Sequence, residues 1–146
     1  LYLCNYPLSW VASPKLKVGR QPISLKRLGQ WPVITYSSTT DPHRAVRQVL
    51  QQAGVDAPRM YGSSALSVIV RMALDGIGTA VIAPVILHKE LAQGELRLLD
   101  VKAPPLPPLH YTACWMQGPD SQVPRTVAEA AQQIAREEAL RHPAKP

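Results

Sequence analysis

The chain has 146 residues, 46% hydrophobic and 18% charged. That is enough apolar material for one buried core and too little charge for a disordered segment. The formal net charge of +6 favours acidic or phosphate-bearing partners, although Lys and Arg are spread from Lys15 to Lys145 without a dense block.

In chain order, "YPLSWVA" (6–12) reads as a strand stopped by Ser13-Pro14. "PISLKRLG" (22–29) predicts a short helical turn with Ile23, Leu25 and Leu28 inward. "PVITY" (32–36) is a compact buried strand that feeds the polar loop "SSTT" and a helix over 42–53. In that helix Ala45, Val46, Val49, Leu50 and Ala53 recur at helical spacing, and Gly54 ends it. The scheme then repeats. An extended "RMYG" (59–62) leads through Ser63-Ser64 to a helix with Leu66, Ile69, Val70, Ala73 and Leu74 inward, terminated by Gly76. "TAVIA" (79–83) is a buried strand broken by Pro84, "VILHKELAQ" (85–93) a helix closed by Gly94, and "ELRLLDV" (95–101) an alternating, half-buried strand. Beyond it come the proline-rich "APPLPPL" (103–109), a strand "HYTACWM" (110–116), and a long helix over 125–141. Pro124 sits in the first turn of that helix, with Val127, Ala131, Ile134 and Ala135 as its apolar stripe.

Alternation of strand and helix predicts an α/β fold with a largely parallel sheet. Residues 13–102 form a complete lobe, whereas 1–12 and 110–141 are the remnant of a second lobe. Tyr6–Pro14 and the segment 103–109 serve as crossovers, and 142–146 is a tail. One strand and one helix cannot bury their own faces, so an N-terminal truncation is expected. The chain does not begin with Met, which fits processing or a piece of a longer protein. No apolar stretch after a basic start marks a secretory signal, and the longest apolar run, 80–87, is too short to span a bilayer. Cys4 and Cys114 lie in apolar sequence and read as buried free thiols of a reducing, cytoplasmic compartment. Neither has metal-type spacing with His43, His88, His110 or His142, so no metal and no cofactor are expected.

From "PISLKRLGQWPVITY" through "QQAGV" to "SALSVIVRMALDGIGTAVIAP" and "HKELAQGELRLL", order and spacing resemble the LysR-type transcriptional regulators. The similarity is to the C-terminal part of their effector-binding domain. It runs from Tyr6 to about Ala139, and its most specific piece is 73–99, a helix ending in G-x-G before a buried strand that stops at Pro. The resemblance implies the two-lobed type 2 periplasmic-binding-protein-like fold and a small-molecule effector held between the lobes. It further implies a homodimer or tetramer in the full-length parent, with DNA bound only through an N-terminal winged helix-turn-helix that this chain lacks.

Ser37, Ser38, Thr39 and Thr40 stand at the mouth of the second helix, where Asp41 reads as N-cap and Pro42 as first helical residue. One cap needs one such side chain, so the other hydroxyls are either ligand donors or a plain polar loop. A helix N-terminus with free N–H groups and rotatable hydroxyls suits a carboxylate, although Asp41 would repel it. Thr35 and Tyr36, at the strand end, share the crevice where open α/β sheets bind ligands. Ser63-Ser64 opens a helix with no acid in its first turn, and reads as either an anion site or a simple cap. Pro84 lines the same crevice or simply packs; Ser9 and Trp10 wall it or belong to the core. The expected effector contacts are therefore Thr35, Tyr36, Ser37, Ser38, Thr39, Thr40, Ser63, Ser64 and Pro84, with no catalytic residue. No G-x-S-x-G, P-loop or H-E-x-x-H motif occurs, and Gly76-Ile77-Gly78 precedes a strand, whereas a dinucleotide fingerprint follows one. The expected function is effector sensing, probing an organic acid or similar metabolite. The alternative is a solute-binding protein of an ABC-type transporter, which shares the fold.

Overall fold

The computed structural model describes residues 1–141, which form two compact units. The larger is Leu8–Pro107; the smaller combines Leu1–Pro7 with the chain from Pro108 onward. The expected tail, 142–146, lies outside the described residues.

The elements are β1 (Tyr2–Tyr6), β2 (Ser9–Ala12), β3 (Ile23–Ser24), α1 (Leu25–Leu28), β4 (Val33–Tyr36) and α2 (Asp41–Gln52). They continue with β5 (Met60–Ser63), α3 (Leu66–Leu74), β6 (Thr79–Ile82), a 3-10 turn (Pro84–Ile86) and α4 (His88–Ala92). Last come β7 (Arg97–Leu98), β8 (Val101–Lys102), β9 (Leu109–Thr112) and α5 (Gln122–Arg141).

A five-stranded sheet in the order β5-β4-β6-β2-β7 organises the larger unit. β4 runs parallel to β5 and β6, and β2 is antiparallel to β6 and β7. Period-two alternation sends Val33, Val81, Trp10 and Ala12 to one face, where Val46, Leu50, Leu25 and Leu28 cover them. Ile34, Ala80, Ile82 and Val11 go to the other, against Ile69, Ala73, Leu87 and Leu96. Each fully buried Leu or Ile contributes about 1.5–3 kcal/mol, so the two-sided core is the main source of this unit's stability. The G-x-G pair has two separate reasons. Gly76 turns the chain after α3 with φ +71°, while a Cβ on Gly78 would lie 2.1 Å from Pro32 O. That carbonyl accepts the Thr79 N–H at 3.0 Å, so Gly78 lets β6 enter beside β4.

Several elements differ from expectation. The strand expected over 6–12 is two strands parted at Pro7, which has no N–H for a ladder. Residues 95–101 split as well. Leu99 N–H donates to Trp10 O at 2.8 Å, whereas Asp100 O accepts Ile23 N–H at 2.8 Å, so β7 and β8 serve different sheets. Ile23–Ser24 is strand, not helix, because it pairs with β8; Ser24 Oγ then caps α1 by accepting Arg27 N–H. The helix expected over 85–93 is interrupted at Leu87, which is fully buried with φ −109° and ψ 17°. Leu66, expected inward, is exposed at the first turn of α3.

In the smaller unit β1 and β9 pair antiparallel with Tyr6 opposite Leu109, and Tyr6 stacks edge-on with Tyr111 at 5.6 Å. α5 lies on β1, and Gln132 Nε2 donates to Tyr2 O at 2.5 Å. The expected stripe of α5 is a correction: Val127 and Ile134 are 64% and 65% exposed, and Ala128 is buried in their place. β9 ends at Thr112, short of 116, and Cys114 is exposed where a buried thiol was expected. Two strands and one helix offer too little surface to cover both sides of the helix.

Candidate functional site

The C-terminal ends of β4, β5 and β6 lie at one end of the five-stranded sheet, and α2 and α3 both start there. Parallel register places Thr35 opposite Gly62 and Tyr36 opposite Ser63, while Ile82 faces Ser9 of β2. Ala83 N–H donates to Tyr36 Oη at 3.4 Å, tying the ends of β4 and β6. A Cβ on Gly62 would stand 3.0 Å from Tyr36 O and 3.2 Å from Ser38 N, so glycine permits this close approach. Tyr36, the 37–40 loop, Ser63-Ser64 and Pro84 thus share one end of the sheet, the position of ligand crevices in open α/β folds.

The hydroxyls are not equivalent. Thr40 Oγ1 donates to Ser37 O at 2.7 Å and closes the loop. Ser37 Oγ and Thr39 Oγ1 are 3.4 Å apart, and Ser38 is exposed, its hydroxyl making no hydrogen bond among the described residues. Thr35 departs from expectation. It is fully buried, and its hydroxyl donates to Val81 O at 2.9 Å, so it braces β4 against β6 below the rim. Pro84 and Ser9 are half-buried, whereas Trp10 is core.

Both helix starts shift by a residue or more. The N-cap of α2 is Thr40, in extended conformation, and Asp41 is its first helical residue. Asp41 is ion-paired to Arg44, whose Nη1 also donates to Thr39 O at 3.1 Å. That pairing offsets the acid at the helix mouth, weakly because both groups are exposed. Ala65 caps α3 in place of the expected serine: Ser63 Oγ accepts Ala65 N–H at 3.1 Å inside the loop, and Ser64 is exposed. Neither helix has a side-chain cap, so first-turn N–H groups of both remain as donors at this end of the sheet. What this end offers is backbone donors and small hydroxyls beside an acid paired to Arg44, chemistry suited to a carboxylate or similar anion.

Sequence reasoning missed Arg44, whose signal was its position three residues after Asp41. It also missed His43, buried on the inner face of α2, where burial and then the Arg47 charge lower its pKa. A separate open groove of about 430 Å³ runs between α3 and the 3-10 turn, lined by Leu66, Val70, Arg71, Leu74, Ile86 and Glu90 among others. None of the nominated residues lines it. Among the described residues no group of three His, Cys, Asp or Glu side chains could hold a metal, and no helix is long and apolar enough to cross a membrane.

These features describe a type 2 periplasmic-binding-protein-like α/β fold with a candidate ligand crevice at its strand ends. The model of the LysR substrate binding domain matches residues 1–136, and the chain belongs to that family. The regulatory domain of CcmR from Synechocystis PCC6803, in complex with 2-PG, superposes with a TM-score of 0.66 at 18% identity, covering 93% of this chain and 66% of that one. The effector domain of AmpR from Pseudomonas aeruginosa gives 0.63 at 19%, covering 95% and 66%. Full-length HypT from Salmonella typhimurium, a hypochlorite-specific LysR-type transcriptional regulator, gives 0.61 at 18%, covering 94% and 46%. The chain therefore spans less than two thirds of the length of these structures. No curated protein matches it in sequence.

Proposed function

We propose that this chain is the effector-sensing part of a cytoplasmic LysR-type transcriptional regulator, and that it binds a small organic acid or similar anionic metabolite at the strand ends. The carrying observation is the convergence of two side-chain-uncapped helix starts with Ser38, Ser64 and the Tyr36–Ala83 link, in a chain of this family. The part of the longer solved domains that this chain does not span supplies the opposite wall. Ligand contacts to both walls then favour one lobe arrangement, by no more than the differential affinity for the two. Base-specific DNA binding and assembly into a dimer or tetramer belong to the full-length parent, and no residue here performs catalysis.

The reading is tested on the parent gene. Sequence upstream of Leu1 should encode a winged helix-turn-helix, and a secretory signal there would convert the reading to a solute-binding protein. On the protein, the 146-residue chain should bind organic acids weakly or not at all, because one wall is absent. Calorimetric titration giving micromolar affinity at 1:1 stoichiometry would refute this.

A further inference from the structure

The net charge of the chain is held by one of its two units. Residues 8–107 contain twelve Lys and Arg against six Asp and Glu, whereas the rest of the chain has four of each. The first acid in the sequence is Asp41, so Lys15, Lys17, Arg20, Lys26 and Arg27 occur with no acid among them.

The fold joins these cations into one surface stretch over residues 15–27, the basic edge, with Lys102 set against it. Leu16 and Val18 enter the core and leave Lys15, Lys17 and Arg20 in solvent. Arg27 of α1 returns to the same stretch: its Nε donates to Val18 O at 2.8 Å, and Nη2 would lie 3.0 Å from a Cβ on Gly19. Lys26 is exposed beside it, and β3–β8 pairing sets Lys102 opposite Ser24. The acids nearby are Asp100, exposed at the turn before Lys102; Asp56, exposed next to the Val55 that packs against Gly29; and Asp75, beside the Gly76 that lies close to Lys15 and already paired with Arg71 at 3.0 Å. None of the six edge cations forms an ion pair among the described residues.

We propose that this edge binds the phosphate backbone of duplex DNA without reading base sequence. Exposed cations without an ion-pair partner gain by releasing counterions from a polyanion. No large apolar side chain is exposed between residues 13 and 32, and only Ile77 and Leu98 are exposed at its margins, so the stretch offers little apolar surface for a protein partner to bury. The inference does not rest on the effector reading.

The test is fluorescence anisotropy of the 146-residue chain with labelled duplexes of two unrelated sequences, across a salt series. Both duplexes should bind alike, with log affinity falling by about 0.9 per phosphate contact for each tenfold rise in salt. The triple variant Lys17→Glu/Arg20→Glu/Lys26→Glu, checked for folding by circular dichroism, should lose more than tenfold affinity at low salt and flatten that slope. Arg27 is left intact because it holds Val18. Lys89→Glu, on α4 against the opposite face of the sheet, should stay within about twofold. Absence of binding at low salt, or equal binding by the triple variant, overturns the proposal. Poly-glutamate binding as tightly as duplex would also overturn it, reassigning the edge to an acidic polypeptide.

Discussion

The larger unit and the smaller one are built from the same kinds of element and have opposite fates. In Leu8–Pro107 helices cover both faces of the sheet, and Ile34, Leu50, Ile69 and Ile82 are wholly out of solvent. In the smaller unit Ala128 alone is buried among the described residues, while Val123, Val127, Ile134 and Met116 remain exposed. An apolar residue stabilises a fold only when a second surface covers it, and β1, β9 and α5 leave one side of that helix without one.

That contrast can be attacked by mutation. Leu50→Ala, in the two-sided core, should cost about 2–5 kcal/mol in denaturant unfolding; a loss below 1 kcal/mol would mean the core is looser than it looks. Gly78→Ala should cost about 1–3 kcal/mol, because its methyl group meets the Pro32 carbonyl and the strand must shift. Acid should weaken the larger unit through His43. Its folded pKa lies below 6.5, so the unfolded chain takes the proton first. Stability is then full above about 6.5 and falls as pH drops through the folded value. His43→Gln should flatten that dependence in unfolding curves compared at pH 7.5 and 5. The smallest effect is expected at Ile134→Ala, within about 0.5 kcal/mol. Hydrogen exchange sharpens the comparison further: amides of β9 and α5 should exchange before those of β4 and β6, and equal protection would dissolve the distinction.

The larger unit was readable because its residues obey local rules. Val33-Ile34 and Ala80-Val81-Ile82 announce buried strands, and Val46, Leu50, Ile69 and Ala73 recur at helical spacing, so pattern and packing agree. The candidate site was nominated from a polar loop at a strand end, but the roles of its hydroxyls were not legible there. Whether Thr35 faces a ligand or Val81 O depends on the strand beside it, and Asp41 meets Arg44 only once the helix has formed. The exposed Val127 and Ile134 show the same limit in reverse, since their spacing looks like any other core stripe.

Periodicity, Gly and Pro positions and the run of hydroxyls therefore carried the α/β class and the element order and nominated one end of the sheet for a ligand, because each depends on neighbours a few residues apart. Long-range packing settled which apolar faces find cover, which hydroxyls are already used, how one run divides between two sheets, and where the basic residues assemble. Those outcomes depend on strands and loops brought together from distant parts of the chain, and no local spacing encodes them.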